Sequence, residues 1–396
     1  IRLDLQLVES LMREFPTSAD PIVLMGNVQG KHGNTTEAVK FWEKGLALNP
    51  KRADVYVGMG WYAMRKGQYD EAIGHWRKAL QINPQIPSVH NYIARALIVL
   101  GKQKEAVEEL EKDIKSSESG LSYFLLGQEY LRRKEYDKAK EKYEKAIVLQ
   151  PNLTNAYYGL FTVCTRLKQD AKAKEYMTVF KKLKAEDTAE EKKDLTDRTD
   201  ALGDLAATRK NVAETYMEAE RIYRARGNMA KAEQLLKRAA TLDPTNTLCL
   251  MKLASVYRKS NRIPDALQMY ERMSKIEPKN PTGYLNIGVV SVQLKRFDEA
   301  EEAFRKAIRL APENSGAYRE LAQLYLKMST KFLEAKLLAE KAVALEPVAA
   351  NYFVLSWACD KNGETASALS AMKRAIELDP DNPKYKRMYE LMQNRD

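Results

Sequence analysis

Apolar stretches along this chain end on prolines at nearly constant spacing. Pro16, Pro50 and Pro84 are followed by Pro151, and later by Pro244, Pro278, Pro312, Pro347 and Pro380. Neighbours stand 34 residues apart, or within one of that, except across two wider gaps. Each proline closes an amphipathic stretch such as KGLALNP, RKALQINP, EKAIVLQP, RKAIRLAP or KRAIELDP. Twelve residues before seven of them stands an alanine: Ala38, Ala72, Ala139, Ala232, Ala266, Ala300 or Ala368. Eight residues before them stands a bulky side chain: Trp42, Trp76, Tyr143, Leu236, Tyr270, Phe304 or Met372. An alanine lets a second helix approach closely, and the large side chain one turn on fills the space beside it. Proline cannot sit inside a helix, so it marks where one unit ends and the next begins. Polar turns such as RKGQYDEA, RRKEYDKA, QLKRFDEA and ARGNMAKA split each unit into two helices. Asp70, Asp137 and Asp298 are placed to cap the second helix. The pattern predicts an all-α chain built of helix pairs.

These spacings resemble the tetratricopeptide repeat, whose signature runs W-x2-L-G-x2-Y…A-x3-F…P. Its first-helix part reads GYLNIGVVS at Gly283–Ser291, SYFLLGQEY at Ser122–Tyr130 and VYVGMGWYA at Val55–Ala63. The resemblance implies a right-handed superhelical solenoid of about ten antiparallel helix pairs. Five repeats fall in 19–187 and five in 213–382. Residues 1–18 match the second helix of a half repeat, and residues 383–396 an amphipathic helix polar enough to cap the stack. The implied organisation is an N-terminal arm (1–187), a charged and helical insertion (188–212) and a C-terminal arm (213–396).

The period breaks between the two arms. EDTAEEKKDLTDRTD is dominated by charge, and no proline stands at Ala185, where the period calls for one. Leu205, Val212, Tyr216, Ala219 and Tyr223 lie along one helical stripe, so the first helix of the sixth repeat is expected to extend backwards. Phe161 and Glu220 replace the small residue that the eighth repeat position normally holds. The insertion reads either as a decorating connection or as a hinge or docking helix.

Composition adds less. The chain has 396 residues, 44% hydrophobic and 30% charged, with a formal net charge of +11. That charge permits an acidic partner but also fits lysine-rich solvated helix faces. No stretch approaches the ~20 apolar residues that span a membrane. The chain opens at Ile1 instead of Met, which implies a processed or truncated product. The compartment is left open between the cytoplasm and, if a leader was removed, the periplasm or exterior. Cys164, Cys249 and Cys359 form no CxxC pair, and His32, His75 and His90 have no partner at metal-site spacing. GNVQGKHG at Gly26–Gly33 is one residue short of a phosphate loop and lacks the Ser or Thr after its lysine. GMGWYA at Gly58–Ala63 follows no strand pattern. No catalytic residue, cofactor or metal is therefore expected, and the chain reads as non-enzymatic.

In the family the resemblance names, first helices line a concave groove through positions 2, 5, 9, 12 and 13. Projected here, they give Trp61, Asn91, Arg95, Phe124, Gln128 and Tyr158 in the first arm. In the second arm they give Arg221, Arg224, Met251, Arg258, Arg319, Gln323, Phe353 and Trp357. Aromatics and arginines dominate binding hot spots. A chaperone-tail clamp is not supported, because Asn27 is present but Val23 and Gly58 stand where its lysine and second asparagine belong. The asparagine ladder of sugar-transferring repeat enzymes is represented by Asn286 alone. The reading is a protein-interaction scaffold that takes an extended peptide or partner helix. The alternatives are the recognition arm of a larger enzyme and, less favoured, nucleic-acid binding through a basic groove. Partner identity and oligomeric state are left open.

Overall fold

The computed structural model describes residues 2–199 and 201–393, with side chains described within 3–189 and 205–393. Those residues form 22 helices and no strand. Helix α1 (Arg2–Glu14) precedes α2 and α3 (Ala19–Lys31, Thr35–Leu48) and α4 and α5 (Ala53–Arg65, Tyr69–Ile82). Next come α6 and α7 (Val89–Val99, Gln103–Ser116), α8 and α9 (Gly120–Arg132, Tyr136–Leu149), and α10 and α11 (Thr154–Arg166, Asp170–Thr199). They are followed by α12 and α13 (Ala201–Ala225, Met229–Leu242), α14 and α15 (Thr247–Lys259, Ile263–Ile276), and α16 and α17 (Pro281–Gln293, Phe297–Leu310). The chain ends with α18 and α19 (Ser315–Lys327, Phe332–Leu345), α20 and α21 (Ala349–Lys361, Thr365–Leu378), and α22 (Pro383–Gln393). It divides into two compact units, Ile1–Ile222 and Tyr223–Asp396, and the division falls within α12.

From α1 to α11 and from α13 to α22 each helix packs on the next, and the alanines of the repeat are buried at these contacts. Ala72, Ala139, Ala232, Ala266, Ala300 and Ala335 are fully buried. The eighth repeat position explains how large side chains fit beside them. Gly127 at that position and Gly159 at the sixth position of the next repeat enclose the Tyr143 ring, and a Cβ on either would stand 2.6 or 2.5 Å from it. Gly26, Gly60 and Gly288 make the same allowance for Trp42, Trp76 and Phe304. Where the partner is Leu110 or Met372, the eighth position holds Ala94 or Ser356. A flat ring therefore replaces one methyl group, and packing density is kept.

The turn between the helices of a pair needs a left-handed residue. Gly33, Gly67, Gly101, Gly227 and Gly363 supply it with φ between 74 and 80°, whereas Lys134, Lys168, Asn261, Lys295 and Ser329 adopt it at 54 to 62°. Asp70, Asp137 and Asp298 do not cap the second helices. The caps there are Gln68, Glu135 and Arg296, none with a side-chain bond, and the aspartates sit in the first turn. The tight left-handed turn sets the helix start before the aspartate, leaving it to act on the helix dipole. Asn246, Asn280 and Asn314, each two residues after a repeat proline, instead cap first helices by accepting from backbone N–H groups, and Asn228 does the same for the second helix α13.

No helix end falls at Ala185, where the period calls for a proline. Other second helices such as α9 and α13 stop after 14 residues, while α11 runs on for 30. Helix α12 extends backwards as its stripe predicts: Val212, Ala219 and Tyr223 are buried, Tyr216 is half-buried, and Leu205 is exposed. Helix α22 closes the last pair through buried Tyr385 and Met392, as expected of a cap.

Candidate functional site

The projected residues separate into three groups. The first is buried. Asn91 is 2% exposed; its amide donates to the Ser122 hydroxyl at 2.8 Å, which donates to Asp113 Oδ2 at 2.5 Å. Phe124 is 8% exposed and lies 5.9 Å from the Tyr143 ring. Both belong to the packed layer between helices rather than to a ligand surface. Asn91 is drawn in because buried Ser122 and Asp113 need a donor. Phe124 is drawn in because Gly127 brings α8 against Tyr143.

The second group is exposed and scattered. Gln128, Arg221, Arg224, Met251 and Arg258 face solvent. Tyr158, 51% exposed, meets Phe161 at 5.9 Å and Phe180 at 5.2 Å on its own repeat. Phe161, which breaks the small-residue rule, is thus half of a local aromatic cluster.

The third group is half-buried and carries the most structure. Trp61 on α4 meets Trp76 edge-on at 5.7 Å and Tyr92 at 4.6 Å. Trp76 is fully buried and fixed by its indole N–H donating to the Val57 carbonyl at 3.2 Å. The Arg95 guanidinium lies 5.7 Å from the Trp61 ring, so the structure brings these two predicted residues together. In the second unit Arg319 donates to Asn351 at 3.4 Å and Glu320 at 3.2 Å, and Gln323 is half-buried. Phe353 lies 5.3 Å from Tyr385 with the Lys384 ammonium 4.3 Å from its ring, so α22 covers it. Trp357 packs against the cluster containing Leu321, Tyr325 and Val354.

Around Trp61 the structure adds residues that the projection does not name. A cleft of 400 Å³ is lined by Asn27, Lys31, Trp42, Trp61, Arg65 and Glu218, among others. The Trp42 indole N–H donates to Asn27 Oδ1 at 2.9 Å, and the Asn27 amide donates to Glu218 at 3.1 Å. Lys31 meets Glu214 at 2.9 Å and Glu218 at 3.4 Å. These partners lie 183 to 191 residues apart in sequence, so no local pattern could have paired them. Arg65 borders the cleft, and neither it nor Arg95 has a carboxylate partner among the described residues.

His90 shares a 2.6 Å bond with Glu109. Burial pushes the Glu109 carboxyl up, but hydrogen bonds from Lys112 and His90 outweigh it and hold the group below its ordinary range. The three thiols are buried, and burial pushes those of Cys164 and Cys359 up, away from reactive thiolate. No group of three metal-ligating side chains occurs among the described residues, and no helix there is long and apolar enough to cross a membrane.

Family models described as tetratricopeptide repeat match residues 53–86, 120–153, 223–285, 281–314 and 349–382. A comparison with curated proteins gives no significant match. Among solved structures, yeast Tom70 is 16% identical, covers 97% of this chain and 96% of its own, and overlays with a TM-score of 0.41. MamA from Desulfovibrio magneticus RS-1 is 18% identical over 43% of this chain and 97% of its own, with a TM-score of 0.39. YrrB, described as a TPR protein with an unusual peptide-binding site, is 17% identical over 45% of this chain and 92% of its own, with a TM-score of 0.38. At these scores the likeness carries no functional assignment.

Proposed function

Because this chain is a tetratricopeptide repeat protein, we propose that it is a non-enzymatic scaffold holding a protein or peptide partner against its first helices. The reading takes residues 1–187 and 213–396 as two binding arms and 188–212 as the insertion between them. One observation carries it. Trp61 is backed by Trp76 and Tyr92, borders an open cleft, and is flanked by Arg65 and Arg95, which have no carboxylate partner among the described residues. A rigid aromatic beside guanidinium groups with spare donors is the arrangement that anchors a partner. The tendency of soluble proteins to cover such patches supports it further.

The test has two steps. Affinity capture from the source cells with mass spectrometry identifies a partner, and titration calorimetry with the purified partner then compares parent and Trp61→Ala. The expected loss is about 2 kcal/mol or more, the range of a hot spot. Equal affinity for both proteins would remove Trp61 from the site and the reading with it.

A further inference from the structure

One wall of the cleft beside Trp61 comes from the chain's own helix α12. Glu214 and Glu218 stand one helical turn apart on α12, and both reach Lys31 on α2. Glu218 also accepts from Asn27 and forms part of the cleft wall with Trp61 and Arg65. These residues all lie within the first unit. Nothing about repeat packing requires the contact. Helix α12 buries Val212, Ala213, Thr215, Met217 and Ala219, while Glu214 is exposed and Glu218 half-exposed. The side chains of Lys31, Glu214 and Glu218 are 27%, 54% and 34% exposed, so water and salt weaken the pairs and opening them costs little.

We propose that Glu214 and Glu218 are a built-in occupant of this cleft, and that an acidic amphipathic helix of a partner displaces them. The inference rests on the binding-scaffold reading above and adds its regulation and the chemistry of the partner. The partner must offer carboxylates one turn apart, since that spacing on α12 already satisfies Lys31. It must also offer an apolar side chain to lie on Trp61. Arg65 and Arg95 then gain carboxylates that α12 does not give them, and this excess lets the partner win over the internal helix. The site differs from a clamp on positions 5 and 9, because Val23 occupies the fifth position of the first repeat and is buried. When the competent state is a minor fraction, the apparent affinity falls by that fraction, so a closed-to-open ratio of about ten masks the site about tenfold.

The test uses the full chain and a labelled synthetic peptide, EENVAETYMEAEEI, which repeats residues 209–222 with Glu in place of Arg209, Lys210 and Arg221, so that it is acidic and carries carboxylates that α12 lacks. Fluorescence anisotropy compares the parent with the Glu214→Gln/Glu218→Gln chain, whose side chains keep their size and lose their charge. The open variant is expected to bind the peptide about tenfold more tightly than the parent. Adding Arg65→Ala and Arg95→Ala should reverse the gain, and a peptide with Gln at the positions of Glu214 and Glu218 should lose it. Amide hydrogen exchange of residues 209–222 should rise in the open variant, a readout independent of any ligand. Equal peptide affinity in parent and open variant overturns the proposal, as does equal binding of the acidic and Gln peptides. Gain of a labelled single-stranded RNA in place of the acidic peptide also overturns it. If the open variant gains nothing while Trp61→Ala still weakens the captured partner, self-occlusion fails and the scaffold reading stands.

Discussion

Trp61 and Trp357 hold the ninth position of the second and the tenth repeat, yet they live in different surroundings. Trp61 rests on two rings and borders a cleft, with Arg95 beside it and Arg65 on the rim. Trp357 packs on the core around Leu321 and Tyr325, and its neighbour Phe353 is covered by Tyr385 and Lys384 of α22. The cations differ in the same way. Arg305 in the second unit is fully engaged, donating to Glu301 at 3.0 Å and to Tyr325 and Glu334 at 2.7 Å. Repeat position sets which side chains turn toward the neighbouring first helix. What that neighbour carries then decides whether they become core or surface.

The largest effect expected from breaking this comparison is at the eighth position. Gly60→Val drives a side chain into the Trp76 indole and should cost about 3 kcal/mol in urea unfolding. In the tenth repeat, Ser356→Ala removes its 2.6 Å bond to the Ala368 carbonyl and a weak 3.6 Å contact with the Met392 sulfur, and should cost about 1 kcal/mol. Similar losses at both would mean that the ring-on-glycine contact is not what tightens the second repeat.

Next are the two indoles. Trp357→Ala should cost about 2 kcal/mol of folding stability through lost packing, with little change in partner affinity. Trp61→Ala should do the reverse, lowering affinity by about 2 kcal/mol. Thermal melts and calorimetry on the same preparations separate the two, and a matching profile for both would dissolve the distinction.

Acid should sharpen the contrast between engaged and free cations. Burial pushes the Glu301 carboxyl up, but hydrogen bonds from Lys331, Tyr325 and Arg305 dominate and bring it from 4.5 to about 2. A depressed carboxylate stabilises the fold above its unfolded value. That contribution is lost as pH falls from about 4.5 toward 2. Glu301→Gln should therefore flatten the acid dependence of stability in that window by about 1 kcal/mol. Parallel pH profiles for parent and variant would show that the network contributes nothing.

The smallest effect is in the turns. The second and tenth repeats already place Gly67 and Gly363 in the left-handed position, but the fourth holds Lys134 there at φ 62°. Lys134→Gly should raise stability by about 0.5 kcal/mol, and a lower melting temperature would show that the lysine side chain outweighs its backbone strain.

Helix pairs, their boundaries and the capping helix are local facts, written in proline spacing, small residues and apolar stripes, so the sequence by itself determined them. The run-through of α11 needs more than the absence of one proline: α7 has Glu118 in the proline's place yet stops at Ser116 in a serine-rich stretch, whereas no such break follows Ala185. Other features depended on neighbours. Asp70 stands in the first turn because the left-handed turn before it sets where the helix begins. Asn91 and Phe124 are buried because Ser122, Asp113 and Tyr143 claim them. The pairing of Lys31 with Glu214 and Glu218 was legible nowhere in the sequence. A repeat pattern encodes contacts between successive helices, whereas a contact spanning more than 180 residues exists only once the intervening helices have stacked.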